Sequence, residues 1–91
     1  MSYMKGKIMK AIVTVINSQR GMYAANIENQ GDYVIFELLD CDEPNIDDIV
    51  SHPDFYSMGE ETFTNITQKY EIDVYIQNIC GANLVRQQCL F

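Results

Sequence analysis

The chain has 91 residues, 47% of them hydrophobic and 21% charged, with a formal net charge of −7. That length suits one domain around a single core, and the composition excludes a disordered chain. The acidic balance disfavours a phosphate backbone as partner, because nonspecific nucleic-acid binding draws on net positive surface. Charge is also unevenly spread: Lys5, Lys7, Lys10 and Arg20 precede residue 21 with no acid among them, and every acid falls between Glu28 and Asp73. The stretch MSYMKGKIMK has bases but lacks the apolar segment of a signal peptide, and no apolar run reaches membrane-spanning length. Cys41, Cys80 and Cys89 form no CxxC, and with only one histidine they read as reduced thiols of a cytoplasmic protein rather than as a zinc site.

Residues 7–16, KIMKAIVTVI, carry a β-branched run and read as a long first strand. Alternation puts Ile8, Ile12 and Ile16 with Lys10 and Thr14 on one face, and Met9, Ala11, Val13 and Val15 on the other. A strand apolar on nearly both sides often curves through a barrel. Asn17–Gly21 is a turn, followed by a second strand from Met22 to Glu28 with Tyr23, Ala25 and Ile27 on one face. A turn at Asn29–Asp32 leads into a third strand, Tyr33 to Leu39. Asp40 to Asp48 reads as a solvated acidic loop, broken by Pro44 and leading into a short Ile46–Val50 segment. Ser51 to Glu61 is an irregular connection with room for one helical turn, and Thr62–Thr67 is a short strand. Glu71–Gln77 alternates cleanly, with Ile72, Val74 and Ile76 inward, and Gly81 ends it. Residues 80–91 form a tail or an edge strand. Five or six short strands without a convincing amphipathic helix predict an all-β domain, a small closed barrel spanning residues 1–91 with its core at about 5–79.

The order of these pieces carries a resemblance. Lys5-Gly6-Lys7-Ile8 leads a long strand, and Asn17, then Arg20-Gly21-Met22-Tyr23-Ala24-Ala25, lead a hairpin. This resembles the start of cold-shock and S1-type domains, which are OB-fold barrels. Asp47-Asp48-Ile49-Val50-Ser51, Asn65-Ile66-Thr67-Gln68 and Asp73-Val74-Tyr75-Ile76-Gln77 look like small, uncharacterised bacterial OB-like proteins. The resemblance covers roughly residues 5 to 79 and implies a five- to six-stranded OB-like barrel with a single-stranded nucleic-acid surface on the hairpin. In cold-shock proteins the segment similar to Arg20–Ala24 carries aromatics at alternate positions, on which bases stack. Here those positions hold Met22 and Ala24, while Tyr23 falls on the opposite face. Each missing platform removes about 1–3 kcal/mol per base.

The candidate binding residues are Lys5, Lys7, Lys10 and Arg20 with Tyr23 and Tyr33, joined by Tyr75, as a basic strand beside aromatic platforms. Their competing role is structural: lysines blunt an exposed strand and tyrosines half-bury in a barrel wall. The acidic loop does not fit a calcium-binding EF-hand, since counting from Asp40 its fifth, sixth and twelfth positions hold Pro44, Asn45 and Ser51. Catalysis would have to use His52 with Ser51 and Asp54, and adjacent loop residues rarely converge on one point. Two apolar sets, Phe55, Tyr56 and Met58 and then Leu84, Leu90 and Phe91, either cap the barrel or form a surface for a protein partner or a second copy. The expectation is a non-enzymatic binding or interaction module in the cytoplasm, with no metal, no cofactor and no membrane. Weak single-stranded nucleic-acid binding through the basic strand and hairpin is the alternative.

Overall fold

The computed structural model describes residues 8–90; Lys5, Lys7 and Phe91 lie outside the described residues. The strands are β1 (Met9–Asn17), β2 (Met22–Ile27), β3 (Asp32–Leu38), β4 (Ile49–His52), β5 (Gly59–Asn65) and β6 (Tyr70–Gly81). They close into a barrel in the order β1-β2-β3-β6-β5-β4, every neighbouring pair antiparallel. The fold is therefore mainly β, as the alternation predicts.

Inside the barrel, Ala11, Val13, Tyr23, Val34, Phe36 and Val50 pack with Phe55, Phe63, Ile72, Val74 and Ile76. Phe63 sits edge-on to both Phe36 and Phe55, with ring centroids 5.0 Å apart in each pair. Full burial of one such aromatic contributes about 1.5–3 kcal/mol. Phe55 belongs to the irregular 53–58 connection, so that segment plugs one end of the barrel.

Two bulges decide which side chains point where. The β1–β2 register shifts between Val13 and Val15. Val13 therefore faces the core and Val15 packs on the outside, while Ile16 returns to the core. The β3–β6 register shifts in the same way between Ile35 and Phe36, so that Ile76 and Ile79 both face inward and Cys80 faces out. An extra residue in one strand of a pair inverts the alternation beyond it. The nearly two-sided apolar pattern of β1 is the sequence trace of that inversion.

The outward side chains meet a second, smaller core. Ala24, Ile35, Cys80, Val85 and Cys89 pack there, with Val15, Met22 and Tyr33 against them. Val85 and Cys89 come from helix α1 (Val85–Leu90), entered through a 3-10 turn at Ala82–Leu84. Residues 82–90 are thus helical and lie over the outer face of the first three strands, in place of the expected tail or edge strand. Six residues cannot hold a helix alone, because helices below about 12–15 residues are marginal in water. Docking sustains this one: Val85 and Cys89, four apart, share the buried side of the helix. Asn17 Nδ2 and Arg20 Nη1 donate to the Cys89 carbonyl at 3.0 and 3.3 Å, satisfying a carbonyl left open at the helix end.

Candidate interaction surface

Among the described residues, those singled out in the sequence do not assemble into one surface. Lys10 is exposed on the outward side of β1, and Arg20 is exposed in the β1–β2 turn, where it holds the end of α1. Tyr23 is 2% exposed and stacks on Phe36 with centroids 5.6 Å apart. Its hydroxyl donates to Glu43 Oε2 at 2.6 Å. Burial first, then the charged acceptor, push the Tyr23 phenol far above its ordinary pKa. Tyr33 is half-buried against the outer core. Met22 and Ala24, which stand where a cold-shock protein places its stacking aromatics, lie under α1. Tyr75 is 44% exposed on the outside of β6, the strand next to that of Tyr33, but it pairs with Glu37, whereas Tyr33 pairs with Cys80 towards the other end.

The acidic loop is less solvated than its composition predicts. Asp48 is 4% exposed. Its Oδ2 accepts from the Asn45 backbone N–H at 2.8 Å and from Asn65 Nδ2 at 2.9 Å, and Gln68 Nε2 reaches it at 3.3 Å. Burial opposes ionisation of this carboxyl, yet the three donors together outweigh it and hold the pKa below the ordinary value. Asn65, fully buried, is satisfied at its other end by the Gln68 backbone N–H. Glu43, which accepts from both Ser18 and Tyr23, has its pKa lowered by those two hydrogen bonds in that order. These contacts seal the barrel end opposite Phe55. Among the described residues no group of three His, Cys, Asp or Glu side chains could hold a metal ion.

His52 is 9% exposed and pairs with Glu61 rather than with Ser51 or Asp54: its Nε2 lies 2.9 Å from Glu61 Oε1. The Asp54 backbone N–H donates to its Nδ1 at 2.9 Å, which assigns the ring proton to Nε2. Both nitrogens then have a partner within the protein. Ser57 Oγ bonds Glu61 Oε2, not the imidazole. A cleft of about 310 Å³ nearby is lined by Ile8, Met9, Lys10, Glu28, Asn29 and Gln30, with no aromatic among them.

Exposed apolar side chains include Tyr56, Met58 and Leu84 from the two sets named in the sequence, as well as Ile8 and Leu39, and an aliphatic group lies on the outside of β1, β4 and the end of β5. Ile12 and Ile49 are directly paired across β1 and β4, on the side opposite the buried Ala11, Val13 and Val50. The Ile66 N–H donates to the Ile49 carbonyl at 2.8 Å, placing Ile66 beside it. The 46–48 loop clasps β1, with Asp47 N–H donating to the Val13 carbonyl and Val13 N–H to the Asp48 carbonyl. Ile12, Ile46 and Ile66 are 42%, 50% and 40% exposed. The sequence reading missed this group because its members lie far apart in the chain and only the barrel closure joins them. Ile12 alternating with buried Ala11 and Val13 is the one local signal.

Comparison with known protein families, with curated protein sequences and with solved structures finds no match for the chain. Its function is therefore argued from this surface.

Proposed function

We propose that the protein is a non-enzymatic interaction module of the cytoplasm, built on an OB-like barrel, whose working surface is the isoleucine group on β1, β4 and β5. The observation that carries this reading is the adjacency of Ile12, Ile49 and Ile66, two of them 40% or more exposed. Scattered apolar side chains on a surface need no explanation, whereas a contiguous group marks an interaction site. The OB-like description draws support from the opening three-strand meander and from β1 pairing with both β2 and β4. A sixth strand and full closure set the barrel apart from the five-stranded, partly open OB form. Single-stranded nucleic-acid binding has less to work with: Tyr23 is in the core, and the face over Met22 and Ala24 is covered.

The test introduces a photo-crosslinking residue at Thr64, which sits outward beside the isoleucines, or at Gln77 on the outside of β6, in cells making the protein. A crosslinked protein product specific to Thr64, and lost when Ile12→Asp is added, is the expected result. Amide spectra recorded with a mixed-sequence single-stranded oligonucleotide at low salt complete the test. Salt-reversible shifts concentrated in residues 8–27, with no Thr64-specific product, would overturn the module in favour of nucleic-acid binding.

A further inference from the structure

The isoleucine surface differs from the other outer faces of the barrel in charge as well as in polarity. The outside of the barrel over Val15, Ala24 and Ile35 is closed by α1. The outside of β3, β6 and β5 presents Glu37, Glu60 and Asp73 around Tyr75, with Glu71 across from Thr64 at the border of the isoleucine surface. Two copies meeting around Tyr75 would set carboxylate against carboxylate. Around the isoleucines the signs are mixed. Lys10 lies two positions before Ile12 on the same outward side, and Lys69 ends the turn that Ile66 opens. Asp47 follows Ile46, and the Glu28 backbone N–H bonds the Lys10 carbonyl, bringing an acid beside that lysine.

We propose that a second copy of this chain covers the isoleucine surface, the two related by a two-fold axis; the inference rests on the interaction-module reading above. Charge selects this occupant. A strongly basic partner would meet Lys10 and Lys69 at the rim of the contact, whereas a second copy brings the acids Glu28 and Asp47 to that rim as well as lysines. The centre suits the same occupant, since isoleucine side chains carry no donor or acceptor that burial would leave unsatisfied. On this surface the lysines offset part of the repulsion that a chain of net charge −7 meets on approaching its own copy.

Sedimentation equilibrium of the intact chain provides the test, from micromolar to millimolar concentration. The weight-average mass of the wild type is expected to rise from the 10.5 kDa of one chain towards twice that value. Ile12→Asp and, separately, Ile66→Asp should stay at the mass of one chain, while Tyr75→Ser on the acidic face should associate as the wild type does. Ile12, Ile66 and Tyr75 are each 40% or more exposed, so the three variants are expected to fold, which circular dichroism verifies. Lys69→Glu should weaken association several-fold. A wild type that stays at one-chain mass throughout, or an Ile12→Asp variant that associates unchanged, overturns the second-copy inference. If the Thr64 crosslink then reports a different protein and is lost with Ile12→Asp, the module reading stands without it. If no such crosslink forms, both fall.

Discussion

Asp48 shows how one side chain can set the acid limit of this fold. Its carboxylate is buried and takes three donors, from Asn45, Asn65 and Gln68. Because its pKa is lowered in the folded protein, it contributes stability that is fully present above the unfolded-state value, near 3.8. That contribution is lost as pH falls through the depressed folded value. Urea unfolding followed from neutral to strongly acid pH should show a steep loss in this window. Asp48→Asn should be less stable at neutral pH and should lose less on acidification; an equal slope in both proteins would contradict the assignment. The residue is hard to read from sequence, where it is one of five acids in nine positions. Asn65 was the more legible partner. With Phe63 it shares the inward face of β5, and an inward amide needs something to bond.

At the scale of the element, α1 exists because of what it covers. Val85→Asp would put a carboxylate into the outer core beside Ala24, Ile35 and Cys80. Burial of an unpaired charge there should detach the helix and cost about 2–3 kcal/mol in urea unfolding. Amide exchange should accelerate in residues 82–90 while the strands of the inner core stay protected. Detachment would also uncover Cys89, whose thiol is pushed up to about 11 by burial first and by neighbouring Cys80 second, with Arg20 opposing. Strand identities were readable because alternation is a local signal: Ile72, Val74 and Ile76 face inward as their spacing predicts. The helix was not, since six residues offer barely two turns of periodicity. Its trace is Val85 and Cys89 four apart with Arg86, Gln87 and Gln88 between, all good helix formers. The bulges were half-legible; the apolar character of both faces of β1 signalled a change of side, but not that it falls between Val13 and Val15.

For the whole molecule, the excess of acids is the dominant long-range term. Thirteen carboxylate side chains against six lysines and arginines leave a field that opposes compaction, and salt screens it. The urea midpoint at neutral pH should therefore rise when sodium chloride is raised from a few millimolar to several hundred millimolar. A fall would point to attractive charge pairs outweighing the repulsion. Among the described residues the one side-chain ion-pair geometry is His52 with Glu61, which leaves little attraction for salt to screen.

Barrel closure also determines how anything can recognise this protein. Each strand of β1-β2-β3-β6-β5-β4 has a neighbour on both sides, which leaves little free row of backbone N–H and C=O groups; the short β4–β5 seam, two residue pairs long, is the exception, with Gly59–Phe63 of β5 unpaired on that side among the described residues. Away from that seam a partner must read side chains, not main chain. Recognition of that kind resides in a few exchangeable positions on an unchanging frame, so replacing Ile12 or Ile66 can alter who binds without altering what folds.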